Sequence, residues 1–137
     1  MTKRFYAKGA ELTLTKAIDW VGDTLKVHLM ADTYVPNFAT NDYRDDIAAH
    51  IVATVTLASK AATGGIFDAA DIVFTAVAAG DDCNAVVITQ DGASDATSPL
   101  LIYIDDADIT NFPVTTSGGD VNVAWASTAY KIFSLVP

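Results

Sequence analysis

The sequence predicts a mainly β protein, an antiparallel β-sandwich or jelly-roll-like single domain with a short N-terminal helix and one further short helical turn. Three observations carry that expectation. Short apolar segments with period-two alternation recur along the chain, Thr24–Leu29 and Val121–Trp125 being the clearest. Turn residues, chiefly aspartate and glycine, separate them. Sixteen of the 17 acidic residues are aspartate, with Glu11 the exception, and aspartate suits turns and caps better than helix interiors. No βαβ rhythm is present, so a parallel sheet is not expected.

At 137 residues the chain has the length of one domain, and no composition break, linker or fixed-period repeat divides it. The opening segment Thr2–Leu14 is the helix candidate, because Phe5, Gly9 and Leu12 fall at helical spacing, although Gly9 weakens it. The Val21-Gly22-Asp23 turn leads into Thr24–Leu29, where Leu25, Val27 and Leu29 alternate with Thr24, Lys26 and His28. Residues Asp32–Asn41 read as a loop broken by Pro36 and Asn37, and Asn41 or Asp42 is placed to cap a short turn reaching Asp46 or Ala48. A strand from Ile51 to about Ala58 sets Ile51, Ala53, Val55 and Leu57 on one side, and Gly64-Gly65 marks a turn or a close backbone approach.

The second half reads as short strands. Ile72–Val77 is rich in β-branched and aromatic residues, and Ala85–Thr89 follows Gly80-Asp81-Asp82. Gln90–Thr97 is a polar connection. Leu100–Ile104 is apolar on both faces, the mark of a central strand covered on both sides. Val114–Thr116 and Val121–Trp125 flank Ser117-Gly118-Gly119-Asp120 as a hairpin, and Tyr130–Leu135 supplies the last of about eight strands.

Charge excludes more than it selects. The net charge is −9, and from Ala61 to Tyr130 ten aspartates occur without one lysine or arginine. Such a surface repels phosphate backbones, so nucleic acid is not expected as a partner. The apolar runs, such as Ala85–Ile88 and Pro99–Ile104, fall far short of the roughly 20 residues that span a bilayer, so no membrane partner is expected. Lys3, Arg4 and Lys8 near the start are not followed by a continuous apolar stretch, which argues against a signal peptide and for synthesis in the cytoplasm.

The common catalytic patterns are absent from the sequence. The two histidines, His28 and His50, read as an outward strand residue and an element boundary. No Gly-x-Ser-x-Gly elbow, Gly-x-Gly-x-x-Gly or P-loop occurs, and one cysteine with two distant histidines does not make a zinc site. Cys83, in a polar Asp-Asp-Cys-Asn stretch, reads as an incidental thiol. Carboxylate pairs of the kind glycosidases use occur as Asp45-Asp46, Asp68 with Asp71, Asp81-Asp82, and Asp105-Asp106 with Asp108, but no aromatic cluster stands beside them. Asp105, Asp106 and Asp108 offer oxygens that suit calcium, without an EF-hand loop or other spaced motif. With so many aspartates, solvated turns are the favoured reading. The expectation is a structural or binding protein rather than an enzyme, with no catalytic, cofactor-binding or metal-ligating residue and no cofactor. Phe67, Phe74, Tyr103, Phe112, Trp125, Tyr130 and Phe133 are expected in the core, whereas Tyr34, Phe38 and Tyr43 are expected exposed, as the first candidate interface.

An ordered set of phrases places the chain further. These are Thr24-Leu25-Lys26-Val27-His28-Leu29, Phe67-Asp68-Ala69-Ala70-Asp71-Ile72, Thr97 through Asp105, Phe112-Pro113-Val114, Gly118-Gly119-Asp120-Val121 and Lys131-Ile132-Phe133-Ser134-Leu135. Together they cover nearly the whole chain, which resembles a family of small proteins encoded in the structural-gene blocks of tailed bacteriophages. The resemblance implies a capsid decoration or cement protein on the outside of the head, bound to the major capsid protein and associated with itself as a homotrimer. It transfers no site residues. A tail, baseplate or fibre module contacting the host surface is the alternative reading, and a hydrolase of envelope glycan a more distant one.

Overall fold

The computed structural model describes residues 3–105, 109, 111–125 and 131–136. In chain order its elements are β1 (Lys3–Phe5), α1 (Ala7–Leu14), β2 (Leu25–Ala31), β3 (Ile51–Thr56), β4 (Ala61–Thr63), β5 (Ile66–Asp68), β6 (Ile72–Phe74), β7 (Asp82–Gln90), β8 (Leu100–Asp105), β9 (Val114–Thr115), β10 (Val121–Val123) and β11 (Phe133–Ser134). Single 3-10 turns occupy Arg44–Asp46, Ala48–His50 and Asp95–Thr97. The protein is mainly β and antiparallel throughout, as its alternation predicts.

The central sheet runs in the order β1-β8-β7-β2-β3, with β9 beside the start of β7. Two smaller sheets, β10-β6 and β11-β5-β4, supply the opposing side of the core. Period-two alternation explains the arrangement: Leu25, Val27 and Leu29 of β2 share one face with Val86, Ile88, Ile102 and Ile104, and all are buried. Phe67, Ile72, Phe74, Val121, Val123 and Phe133 close over them. Trp20 locks the corner, its ring 5.1 Å from Phe67 and 4.8 Å from Phe133 in edge-on geometry. The central strand expected at Leu100–Ile104 is β8, buried along both faces between β7 and β1.

The N-terminal helix is shorter than expected, because Lys3–Phe5 instead forms an edge strand. Its register, Lys3↔Ile104 through Phe5↔Ile102, pairs backbone groups of β8 that would otherwise lie unsatisfied at the sheet edge. Gly9 is what lets α1 then lie on β8. A Cβ there would stand 2.5 Å from both Leu100 O and Leu101 Cα. The residue that weakened the helix in sequence is the one its packing requires.

The expected hairpin across Ser117–Asp120 does not form. β9 pairs with β7, and β10 pairs with β6. The glycine-rich link instead folds against 76–80, with Gly118 N–H donating to Val77 O at 2.8 Å and Val77 N–H donating to Gly119 O at 3.0 Å. This pairing sets the buried residues Val121 and Val123 opposite the buried Phe74 and Ile72. Gly64 and Gly65, at φ +62° and +80°, do make a tight turn, between β4 and β5. The last strand is confined to Phe133–Ser134, and Tyr130 lies outside the described residues. Eleven strands are present among the described residues, several of only two or three residues, which period-two patterning is too coarse to detect.

Candidate functional site

The second face of the central sheet changes character across its width. Near β8 it is apolar and covered: Tyr6, Tyr34 and Ile47 bury Met30, Ala85, Val87, Leu100 and Tyr103. The expectation that Tyr34, Phe38 and Tyr43 form an exposed interface is therefore corrected. Tyr34 is only 6 % exposed, and Phe38 and Tyr43 are half-buried. The Tyr34 hydroxyl donates to Asn41 Oδ1 at 3.0 Å, so the Tyr6 hydroxyl, 2.8 Å away, donates to the Tyr34 oxygen. Phe38 lies 5.2 Å from the Tyr6 ring and 5.7 Å from that of Tyr103, with the Arg4 guanidinium over its ring, 4.6 Å from the centroid. The loop turns inward because an apolar half-sheet would otherwise face water.

Toward β3 the same face becomes polar and opens into a cavity of about 420 Å³. Its lining includes Lys26 and His28 of β2, Thr54 of β3, Arg44 and Ala48 from the turns before β3, and Asp91 and Asp95 from the β7–β8 connection. His28 is on the side of β2 that alternation predicts, but it is not exposed: only 1 % of it reaches solvent. Its Nδ1 is 2.8 Å from Thr54 Oγ1 and its Nε2 is 2.8 Å from Thr89 Oγ1. Burial, assisted by the nearby Arg44 charge, pushes its pKa down to about 4. The imidazole is thus neutral at pH 7, one nitrogen donating and the other accepting. Both are committed to threonines, which makes His28 a strut across three strands.

Arg44 joins the two walls. Its Nε lies 2.5 Å from Asp95 Oδ1 and its Nη1 3.2 Å from Asp91 Oδ1, which pins the β7–β8 connection to the turn before β3. Lys26, on the same face, has no hydrogen-bond or ion-pair partner among the described residues. What the arrangement offers a ligand is charge and hydrogen bonding.

Several of the remaining aspartates accept backbone N–H groups in turns or between distant segments. Asp19 Oδ1 accepts from Val21 and Gly22 N–H, and Asp46 Oδ2 accepts from Asp42 and Tyr43 N–H at 2.7 and 3.2 Å. The N-cap of that turn is Tyr43 rather than Asn41 or Asp42, and Asp46 reaches back to its N–H. Asp71 Oδ1 holds Trp125 N–H at 3.0 Å, and Asp120 Oδ1 holds Ala76 N–H at 2.9 Å. Among the described residues no cluster of three histidine, cysteine or acidic side chains is placed to hold a metal, and Asp106 and Asp108 lie outside them. Cys83 is fully buried, and burial together with Asp81, Asp32 and Asp82 pushes its thiol up to about 11. His50 closes the turn before β3, its Nδ1 3.2 Å from Thr33 Oγ1. At the N-terminus Lys3 Nζ donates to Lys131 O and Lys8 pairs with Glu11 at 3.8 Å. No helix among the described residues is long and apolar enough to cross a membrane.

The feature that alternation did not identify is the edge of β3. This strand ends the sheet order and pairs only with β2 among the described strands. Leu57 N–H donates to Leu25 O at 2.9 Å, which makes that pair the hydrogen-bonded type. In the same register Val27↔Val55 and Leu29↔Ala53 are bonded pairs too, while Lys26↔Thr56 and His28↔Thr54 are the closer, unbonded ones. The backbone N–H and C=O groups of Thr54 and Thr56 therefore point away from the sheet. A bulge opposite Leu29 and Met30 moves Ile51 to the second face, where it packs beside Ile47 and Tyr34 rather than with Ala53 and Val55. One signal for this edge was legible: residues 47–67 contain no Asp or Glu, the longest such run in the chain. No protein-family model matches the chain, and no curated protein matches it either.

Proposed function

We propose that the chain is a bacteriophage structural protein that decorates the outside of the capsid and stabilises the head by binding capsomers. The observation that carries this reading is the open edge of β3. Sheet edges in proteins that stay apart are blunted by lysine, proline or inward charge. Ile-Val-Ala-Thr-Val-Thr has none of these and presents outward backbone donors and acceptors at Thr54 and Thr56. Such an edge suits addition of a partner strand. The net charge of −9 favours a protein partner over nucleic acid and repels free copies from one another until they meet that partner. The sequence resemblance supplies the setting.

The test is the copy number and location of the protein on the particle. Quantitative mass spectrometry of purified virions should find hundreds of copies, and electron microscopy should place them on the outer shell. Heads lacking the protein should rupture at lower temperature than heads that carry it. A handful of copies at one vertex or on the tail would move the protein to the tail or baseplate, and none in the virion would remove it from the particle.

A further inference from the structure

We infer that β3 takes up an extended acidic segment of the capsid partner as an added antiparallel strand, with a carboxylate opposite Thr56 reaching the Lys26 ammonium. This rests on the decoration reading and names how the partner is recognised.

Three observations converge on one place. The backbone groups of Thr54 and Thr56 face outward, so a new strand has donors and acceptors waiting at alternate residues. The side chains of those two threonines stand on the polar second face, in the same cross-strand rows as His28 and Lys26. A residue opposite Thr56 on an added strand extends the row Lys26–Thr56, one strand spacing of about 4.8 Å further out. Threonine is short, so the four-carbon stem of Lys26 can lie across it toward that position. Arg44, with guanidinium donors beyond those given to Asp91 and Asp95, lines the same cavity.

Lys26 selects the occupant, because the two carboxylates that line the cavity, Asp91 and Asp95, are already engaged by Arg44. The strand lies inside the longest acid-free run of a chain with 17 acidic residues, and Lys60 follows it in that run. A second copy of β3 fits less well, because the strand carries no carboxylate to offer Lys26. Two-fold pairing would instead bring two lysines onto one face across four threonines. An acidic strand from a different protein satisfies both the backbone and the ammonium.

The experiment uses purified shells that lack this protein, with the full chain added back and the bound fraction measured by sedimentation and mass spectrometry. Thr56→Pro removes an outward N–H without touching a bond to β2, and should weaken binding about tenfold or more. Thr56→Ala keeps the backbone and should bind as wild type. Lys26→Glu should also weaken binding, while Lys26→Arg should retain it. Backbone exchange over residues 51–57 of the wild-type chain should slow on binding, a readout that does not depend on any variant folding. Wild type that fails to bind shells overturns the decoration reading, and this inference with it. Wild type that binds while exchange over 51–57 is unchanged, or while Thr56→Pro binds equally, overturns the strand addition alone. Equal binding by Lys26→Glu overturns the acidic partner.

Discussion

The Nδ1 of His28 lies 2.8 Å from the Oγ1 of Thr54, and this bond ties the outermost strand of the sheet to its neighbour. Among the described strands only β2 pairs with β3, so an imidazole beneath the edge has a large share in keeping that strand in register.

That share depends on pH. The unfolded chain takes up a proton at His28 near pH 6.5, whereas the folded chain does so only at about 4. The folded pKa is the lower one, so the contribution is complete above pH 6.5 and is lost progressively as pH falls toward 4. The loss is on the order of 3 kcal/mol. Urea unfolding of wild type and His28→Gln across that interval should show the two stabilities converging as pH falls. A constant difference would mean that the imidazole titrates as a surface group.

Gly9→Ala should destabilise the protein by about 2 kcal/mol, although helix propensity alone favours alanine by roughly 1 kcal/mol. The added Cβ meets the backbone of β8 at 2.5 Å, where no side-chain rotation relieves it. Chemical denaturation decides the sign, and a gain in stability would show that α1 can lift off β8 at little expense.

Tyr34→Phe deletes a hydroxyl that donates to Asn41 and accepts from Tyr6. It leaves the buried Tyr6 hydroxyl without its partner, at a cost of about 1–3 kcal/mol. The double variant with Tyr6→Phe should recover part of that loss, because both buried oxygens are then gone. A thermodynamic cycle from thermal or urea unfolding measures the coupling.

Cys83 should react with a soluble disulfide reagent only when the chain opens. The thiol is fully buried and pushed up to about 11, so neither access nor thiolate is present at neutral pH. Labelling in native buffer should proceed at the rate of opening, and be immediate in denaturant. Rapid native labelling would mean that the start of β7 breathes freely.

The longer strands of the central sheet were legible because they either obey a two-residue period, as in Leu25-Val27-Leu29, or are wholly apolar, as in Leu100–Ile104. The short strands were not, because Lys3–Phe5, Ala61–Thr63 and Ile66–Asp68 have too few residues to show a period. Pairing partners were harder still. Val114 and Val121 sit either side of a glycine turn, yet each finds a distant strand, since long-range burial decides and local turn chemistry does not. The candidate site depended on the same non-local information. Nothing adjacent to His28 in sequence reveals Thr54 and Thr89 at its two nitrogens, and nothing around Tyr34 reveals the apolar half-sheet that it covers.

The bare edge at Ile51–Thr56 has a price in the test tube. Six uncharged, β-prone residues with outward amides form a template on which other chains can stack into fibrils. What holds copies apart is the long-range repulsion of their negative surfaces, and at physiological ionic strength that repulsion fades over about 8 Å. Concentrated stocks should therefore turn fibrillar as salt is raised, with Thr56→Pro slowing the growth.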